Sequence, residues 1–189
     1  MNQPKLRFPE FRDSGEWKTD KLSNLISTVT PPQKLPTSLY QTEGLYPIID
    51  QSQNYICGWT NDENALISND LPLIIFGDHT CILKMVRVPF VQGADGIKIL
   101  KTNKHIETNY LYQYLQFNPV VMEEYKRHFS ILKEKFILFP VKESGEQQKI
   151  ADCFSSLDDL INAHVKKCEL LKTHKKGLMQ GLFPVAGEK

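Results

Sequence analysis

The chain has 189 residues, of which 41% are hydrophobic and 24% are charged, and its formal net charge at pH 7 is +1. This length suits one globular domain of about 140 residues with a buried core, followed by one appended element. A near-neutral charge excludes the openly basic composition of many nucleic-acid-binding domains, so any such surface must be local. The sequence has no run of about 18 apolar residues and no apolar amino-terminal segment, which argues against a membrane span and a secretion signal.

The first 140 residues alternate between short apolar runs and turn residues, which predicts an α+β domain. Residues 17–26 place Leu22, Leu25 and Ile26 on one side and predict a short helix. Residues 108–127 predict two helical segments interrupted at Asn118 and Pro119. Strands are predicted where apolar or alternating runs are bounded by turn residues: 46–49, 65–67, 71–76, 82–88, 97–100 and 136–139.

The last quarter of the chain, residues 143–183, predicts one long helix with a coiled-coil seam. Its seam residues recur at alternating spacings of four and three, which keeps a narrow stripe facing a partner helix. About 38 residues at about 1.5 Å each would make a helix of roughly 55 Å. The predicted dimer seam is Ile150, Phe154, Leu157, Ile161, His164, Cys168, Leu171, Lys175, Leu178 and Leu182.

The ends of this helix are also predicted. Pro140 lies outside it, Ser144 is a candidate N-cap with Gln147 completing a capping box, and Glu146 favours the positive end of the helix dipole. Pro184 closes the far end. These signals divide the chain into a globular domain (1–140), a helical spacer or dimerisation region (141–184) and a tail (185–189). A second interpretation is that the helix folds back on its own domain. The polar seam residues His164 and Lys175 either fix the register and the choice of partner helix or are tolerated because their side chains extend to solvent.

Signatures of catalysis and of metal binding are absent from the sequence. It has no GxSxG, P-loop or GxGxxG motif. Asp78 and His79 could be considered as a catalytic pair, but side chains of adjacent residues on a turn after a strand would point in different directions. The four cysteines form no CxxC pair, and no His or Cys grouping has zinc-ligand spacing. We therefore expect a non-enzymatic protein without a metal, with free thiols and a cytoplasmic location.

Three loops carry side chains suited to base edges and phosphates. Asn and Gln can pair with adenine in a bidentate way, and Gly allows close backbone approach. The three clusters are Gln51, Gln53, Asn54 and Tyr55; Asp78, His79 and Thr80; and Gln92, Gly93 and Asp95. Candidate phosphate contacts are Lys34, Lys84, Arg87, Lys98, Lys101, Lys104, Arg127 and Lys133. The alternative is that these are ordinary solvated turns and solubilising cations, which salt-dependent DNA binding would distinguish.

Two sets of motifs make the chain resemble the specificity (S) subunits of type I restriction-modification systems. The first set is similar to a target recognition domain and consists of PKLRFPEF from Pro4 with Trp17, IIFGDHT from Ile74, FVQGADG from Phe90 and RHF from Arg127. The second set is similar to the conserved helical region and consists of EQQKIA from Glu146, LDDLI from Leu157, LLK from Leu170 and KGLMQGLFP from Lys176. The resemblance covers nearly the whole chain.

This resemblance implies a DNA-recognition role. Family members have two recognition domains whose helices pair antiparallel, so a chain with one of each looks like a half-subunit or a fragment. A homodimer through antiparallel helices would read a bipartite, palindromic site, with the rod setting the gap at about 3.4 Å per base pair. The implied DNA contacts are Lys34, Gln51, Gln53, Asn54, Tyr55, Asp78, His79, Thr80, Lys84, Gln92, Gly93, Lys101, Arg127 and His128.

The resemblance also implies partners. Methyltransferase (modification) subunits and a restriction/translocase subunit would join the chain on double-stranded DNA. S-adenosylmethionine, ATP and Mg would be bound by those partners, so the chain itself would carry no cofactor and no membrane contact. Two other functions stay open: a dimeric DNA-binding regulator outside restriction, and an assembly or decoy protein without DNA affinity.

Overall fold

The computed structural model describes residues 4–94, 96–122 and 127–183. It divides the chain into two compact units, residues 1–150 and 151–189. The predicted α+β class is confirmed: sheets and short helices build the first unit, and a helix of 37 residues follows at the carboxyl end. The functional division after residue 140 stays a prediction, and the tail 185–189 lies outside the described residues.

Short strands and helices alternate along the first unit. The helices are α1 (Leu22–Leu25), α2 (Thr108–Phe117), α3 (His128–Glu134) and the start of α4 (Glu146–Leu182). The strands are β1 (Lys18–Lys21), β2 (Ile26–Val29), β3 (Tyr46–Ile49), β4 (Gly58–Thr60), β5 (Leu66–Ile67), β6 (Leu73–Gly77), β7 (Leu83–Val86), β8 (Phe90–Gln92), β9 (Ile97–Thr102) and β10 (Phe136–Phe139).

The strands form two four-stranded sheets and one two-stranded ladder. The first sheet has the order β2-β9-β6-β7 and is antiparallel throughout. The second has the order β4-β3-β8-β5, in which β3 and β8 run parallel. The ladder joins β1 to β10, antiparallel, with Lys18 opposite Phe139. Each predicted strand therefore overlaps an observed strand, because the apolar runs supply the side chains that the sheets bury.

The core lies where the two four-stranded sheets meet. Ile75 and Ile99 come from the first sheet, Ile49 and Phe90 come from the second, and all four belong to one buried cluster. Strand β6 is buried along its whole length, as expected for an apolar run covered on both faces. This shared core holds the loops at the strand ends in place.

The helix predicted over residues 17–26 is wrong. The structure has strand β1, the single turn α1 and strand β2 there, with Leu22 and Leu25 buried. Distant segments explain the difference, because β1 pairs with β10 and β2 pairs with β9. Pairing with strands at least 70 residues away in the sequence overrides a weak local helical pattern.

The helical segments predicted over residues 108–127 are correct only for the first. Helix α2 ends at Phe117, immediately before Asn118, but Val121 and Met122 are not helical and the next helix begins at His128. Part of the second predicted segment, including Tyr125, lies outside the described residues. Strands β4 and β8 had no counterpart in the prediction, because their three residues mix apolar with polar or glycine positions (GWT and FVQ), whereas the equally short predicted run 65–67 is apolar throughout.

The capping box predicted for the long helix is also wrong. Ser144 Oγ accepts from the Glu146 amide at 3.2 Å, but Gln147 does not reach back to Ser144. The Gln147 amide donates to the carbonyls of Pro140 (2.7 Å) and His105 (3.0 Å), and its oxygen accepts from the Glu107 amide (2.7 Å). The side chain is buried, so it serves tertiary contacts of the first unit instead of the local cap.

The second unit consists of the remainder of α4, whose length confirms the predicted long helix. The seam residues from Phe154 onward are exposed along it, with exposed fractions of 48% for Phe154 and 58% for Ile161. Leu157, Leu171 and Leu178 are exposed to a similar extent. Pairing of this stripe with another helix stays a prediction.

Candidate nucleic-acid interface

The three polar loops predicted from the sequence meet at one end of the first unit. Thr80 Oγ1 donates to the Gln51 carbonyl at 3.0 Å, which joins the loop after β3 to the turn after β6. The Asp78 amide donates to the Gly96 carbonyl at 2.7 Å, which joins that turn to the loop after β8. Gly96 has φ +101°, and a Cβ there would collide with the Gln51 side chain. Only glycine allows so close an approach.

The loop after β3 is built around the Asp50 carboxylate. Its Oδ1 accepts from the Ser52 amide and from the Cys57 thiol, both at 2.8 Å, while its Oδ2 accepts from the Tyr40 hydroxyl at 3.4 Å. The same hydroxyl accepts from the Ala94 amide at 3.0 Å. Tyr40, Asp50 and Cys57 therefore position two of the three loops. No motif around them marked this role in the sequence.

Burial and hydrogen bonding set the protonation states within this network. Burial acts to raise the pKa of Asp50, but the bonds from Cys57 and Ser52 and the charge of Lys84 outweigh it, so the pKa is lowered. Burial, and then the bond to Asp50, raises the pKa of the Cys57 thiol. The result is an ionised Asp50 beside a protonated thiol at neutral pH. Such a thiol is a hydrogen-bond donor and a poor nucleophile.

The predicted contact residues separate into exposed and buried sets. Gln53, Asn54, Tyr55 and His79 are exposed, and Gln51 and Thr80 are half-buried. Five others are buried: Asp78, Lys84, Gln92, Gly93 and His128. Gln53, Asn54 and His79 present amide and imidazole groups that can meet base edges and sugars, whereas the Tyr55 hydroxyl donates to the Met85 carbonyl at 2.6 Å. Whether any of them contacts a base stays a prediction.

Asp78 and His128 hold two segments together. The Asp78 carboxylate accepts from the Phe129 amide at 2.8 Å, and its backbone carbonyl accepts from the His128 amide at 3.1 Å. His128 Nδ1 lies 2.9 Å from the same carbonyl. The turn after β6 is thereby attached to the start of α3. Asp78 and His79 do not act as a pair in this arrangement, since Asp78 is buried and His79 is exposed.

Basic side chains surround Phe129 next to this attachment. The ammonium groups of Lys98 and Lys133 lie 5.7 and 5.4 Å from the centre of the Phe129 ring, within the range of cation–π attraction. Arg127 is exposed two residues before the ring. Lys98 and Lys133 form a positive corner beside the loops. Phe129, in the first turn of α3, belongs to the RHF motif but was not among the predicted contact residues.

The other predicted cations are dispersed. Lys34, Arg87 and Lys104 are exposed, and a backbone bridge places Lys34 beside Gln92. Lys101 forms an ion pair of 2.7 Å with Asp70. Two buried polar atoms beside the loops, Gln51 Oε1 and Gln92 Nε2, have no hydrogen-bond partner among the described residues.

The remaining surfaces offer no separate chemistry in the part of the chain that the structure describes. Over residues 4–94, 96–122 and 127–183, no group of three or more His, Cys, Asp or Glu side chains could hold a metal ion. Among the same residues, no helix combines the length and apolarity needed to cross a bilayer. A shallow groove runs along α4 beside His164 and Cys168, on the exposed face that carries the seam.

Comparisons with known proteins agree with the resemblance seen in the motifs. No family model matches the chain. The type I restriction enzyme MjaVIII specificity subunit of Methanocaldococcus jannaschii is 24% identical, over 94% of this chain and 43% of the relative. The S subunit of a type I restriction-modification system from M. genitalium has a similar structure, with a TM-score of 0.63, 17% identity, and coverage of 89% of this chain and 46% of that one.

Two further structures extend this likeness. A chain in a structure that addresses complex assembly and conformational transition of the type I system has a TM-score of 0.61, with 17% identity over 94% of this chain and 46% of that one. The HsdS subunit of Thermoanaerobacter tengcongensis has a TM-score of 0.51, with 16% identity over 85% of this chain and 41% of that one. The chain thus spans less than half the length of the relatives it matches. Its similarity to type I specificity subunits is confirmed, and the structural matches establish the shared fold.

Proposed function

We propose that this chain is a DNA sequence-recognition (specificity) subunit of a type I restriction-modification system. The observation that carries the proposal is the meeting of three polar loops at one end of the first unit, beside the positive corner of Lys98 and Lys133. Exposed amide and imidazole groups suit base edges, and nearby cations suit phosphates. The similarity to specificity subunits over 94% of the chain supports the same role.

Salt-dependent binding tests the DNA-recognition part of this proposal. Target duplexes would be selected from a random library with the purified chain, and affinity would be measured over a range of salt concentrations. Replacing Gln53 and Asn54 with Ala should abolish the preference for the selected duplex and leave the salt slope unchanged. Replacing Lys133 with Met should weaken all duplexes equally and reduce the slope by about one. Failure to bind any duplex would favour the assembly or decoy function.

The second part of the proposal is dimerisation through α4. The stripe of Phe154, Leu157, Ile161, Leu171 and Leu178 is exposed in the single chain. A row of half-exposed large apolar side chains is costly in water, and a partner helix would remove it from solvent. We propose that the partner is the α4 helix of a second copy, in the antiparallel orientation, which places two recognition units at opposite ends of a rod.

The seam is self-complementary in one antiparallel register. With the two-fold axis passing between His164 and Cys168, three apolar layers form from residues of opposite copies: Ile150 with Leu182, Phe154 with Leu178, and Ile161 with Leu171. A shift by one heptad would set Lys175 against either His164 or Ile150. In the central register Lys175 lies opposite Leu157 and His164 lies opposite Cys168, and this register pairs the full length of the seam.

Flanking charges favour the same register. It places Asp158 of one copy beside Lys172 of the other, and the two-fold axis makes this contact twice. Lys167 of one copy would lie beside Lys167 of the other copy near the axis, where the two long side chains can point apart into solvent. Each exposed ion pair contributes little free energy, so we assign these charges to orientation and register more than to affinity.

The mass in solution tests the dimer. Light scattering should give about 44 kDa, twice the 21.8 kDa of one chain. Replacing Leu157, Ile161 and Leu171 together with Asp should give a folded monomer, because the carboxylates introduced at positions 161 and 171 would face each other as buried like charges and the change at position 157 would remove an apolar side chain from the seam. A matched triple replacement on the polar face, at Asp152, Asp159 and Lys166 with Ala, should remain dimeric. A dimer that persists in the triple Asp variant would exclude the seam.

Cysteine cross-linking tests the orientation. In a chain carrying Cys153→Ser, His164→Cys would lie opposite Cys168 of the second copy and should form an intermolecular disulfide under mild oxidation, because paired seam positions lie within disulfide range. Adding Cys168→Ser should abolish the cross-link. Because Cys57 and Cys81 remain, the cross-linked peptides are mapped by mass spectrometry, and a cross-link that survives Cys168→Ser and joins residue 164 of both copies would show a parallel dimer.

The partners follow from the same assignment. We propose that methyltransferase subunits and a restriction/translocase subunit join this chain on double-stranded DNA, and that they carry the S-adenosylmethionine, ATP and Mg sites. The chain itself supplies recognition and no catalytic residue. Recruitment of two methyltransferase subunits per dimer, measured by light scattering of the mixture, tests this step. A dimer that binds its DNA tightly but recruits no such subunit would favour a regulator outside restriction.

A further inference from the structure

Lys84 is a buried cation placed among the recognition loops. It lies on β7, at the edge of the first four-stranded sheet, and only 4% of the residue is exposed. Its ammonium donates to the backbone carbonyls of Asp50 at 2.8 Å and Asn54 at 2.6 Å. Burial lowers the pKa of Lys84, while the nearby Cys57 and Asp50 act to raise it. An ammonium held in this way is directed at the protein backbone and away from solvent.

The two acceptors lie at either end of a short loop. The carbonyls of Asp50 and Asn54 bracket residues 51–53, so one ammonium closes the loop on itself. Two further bonds attach the same loop to the first sheet: the Tyr55 hydroxyl donates to the Met85 carbonyl at 2.6 Å, and Thr80 Oγ1 donates to the Gln51 carbonyl. The loop backbone is therefore held by β7 and by the turn after β6.

The side chains of this loop remain outside while its backbone is held. Ser52, Gln53 and Asn54 are exposed, although the carbonyl of Asn54 is bound by Lys84. Ser52 Oγ lies 3.0 Å from Cys57 Sγ, so the amide side chains of Gln53 and Asn54 are the exposed groups that matter. Exposed amides on a fixed backbone are the arrangement that a site needs for selective hydrogen bonding, because misplacement by about 1 Å loses a bidentate contact. Lys84 has the geometry to maintain this arrangement.

We propose that Lys84 is a positioning residue for sequence recognition: it fixes the backbone of residues 51–56, and thereby sets which base edges Gln53 and Asn54 reach, without contacting phosphate. This inference rests on the proposed DNA-recognition function. It replaces the phosphate contact expected from the sequence with a role inside the protein. The Lys84 ammonium donates charge-assisted hydrogen bonds to two carbonyls. Such bonds are stronger than bonds between neutral groups, so they hold the loop more firmly.

Hydrogen exchange and DNA selection together test the role of Lys84. Lys84→Met keeps the apolar stem and removes the ammonium. We expect amide protection in residues 51–56 to fall at least about tenfold while protection of the core strands persists, as for a local opening. Discrimination between the selected duplex and a scrambled one should fall about tenfold, the loss of one good base contact, with an unchanged salt slope.

A matched substitution separates positioning from phosphate contact. Lys133→Met makes the same chemical change at an exposed lysine, and it should reduce the salt slope by about one without altering loop protection. If Lys84→Met instead reduced the salt slope by about one and left the protection of residues 51–56 unchanged, the inference would be overturned.

A second variant covers the case in which Lys84→Met does not fold. Tyr55→Phe removes only the hydroxyl that donates to the Met85 carbonyl, the other bond between this loop and β7. It should lower loop protection and discrimination in the same direction but by less. Unchanged protection in Tyr55→Phe would contradict the anchoring of the loop by β7. Loss of protection without any DNA binding by the wild-type chain would retain the anchoring and reject the recognition function.

Discussion

At the residue scale, an ion pair secures the amino-terminal segment to the start of the long helix. Arg7 Nε and Nη2 donate to the two carboxylate oxygens of Glu146 at 2.8 and 2.7 Å, and Nη1 donates to the Gly15 carbonyl at 2.8 Å. The side chains are 7% and 1% exposed. The bond to Glu146 raises the pKa of Arg7. A planar guanidinium can make this fork of bonds and an ammonium cannot, so lysine would be a poor substitute.

Removing one partner of this pair should destabilise the first unit. Arg7→Ala leaves the Glu146 carboxylate covered without its donors, and we expect a loss of about 1.5–3 kcal/mol in the free energy of unfolding. Urea denaturation would measure it. The double variant Arg7→Met, Glu146→Leu should lose less than Arg7→Ala, because no covered charge remains. Equal losses in the two variants would show that packing, and not the ion pair, accounts for the effect.

At the element scale, the first turn of α4 belongs to the first unit as much as to the helix. Glu146 and Gln147 are buried, whereas Gln148 and Lys149 are exposed. The Gln147 side chain forms hydrogen bonds with the backbone of residues 105 and 107, about 40 positions away in the sequence, and of residue 140, seven positions away. The helix therefore begins where tertiary hydrogen bonds hold its first turn. The local capping signal placed the start correctly to within about two residues but assigned Gln147 the wrong partner.

Gln147 is accordingly expected to matter far more than its neighbour. Gln147→Ala leaves one buried amide and two carbonyls without partners, and should cost about 1–3 kcal/mol of stability. Gln148→Ala, the same change at an exposed position, should stay within about 0.5 kcal/mol of the wild-type value. Thermal or urea unfolding of both variants would compare them. Similar stabilities would mean that water replaces the lost bonds at residue 147.

At the scale of the whole molecule, the proposed dimer makes α4 a ruler. Its 37 residues span about 55 Å, and in an antiparallel pair the number of residues between the recognition units sets their separation. On DNA, this separation sets the number of base pairs that lie between the two half-sites and are not contacted by the dimer. A change in helix length that preserves the seam should therefore change the DNA spacing without changing the half-sites.

Inserting one heptad tests the ruler. Seven residues placed between His164 and Cys168 keep the seam in phase and lengthen the rod by about 10 Å, so the preferred gap should grow by about three base pairs. Selection from a random duplex library would show the new spacing. An insertion of two residues at the same place turns the second half of the stripe by about 200°, to the opposite face, and should give a monomer. An unchanged gap in the heptad variant would show that α4 does not set the spacing.

The sequence by itself determined the strongly patterned elements. A run such as Leu73–Gly77 is apolar enough to be a buried strand whatever its neighbours, and the alternating spacings of α4 indicate a long helix without tertiary information. The polar loops were also visible as a set, and the motifs in both halves indicated the family resemblance. These features are local, because each depends on side chains within one or two turns or one strand.

Only the tertiary structure decided the features that join distant residues. It made strands of Lys18–Lys21 and Ile26–Val29 because their hydrogen-bond partners lie about 70 to 120 positions away. It brought the three loops together, and it buried Lys84 against two carbonyls and Gln147 against three backbone groups. A lysine or glutamine in a sequence carries no mark of such burial, since polar side chains are buried only where the fold supplies their partners.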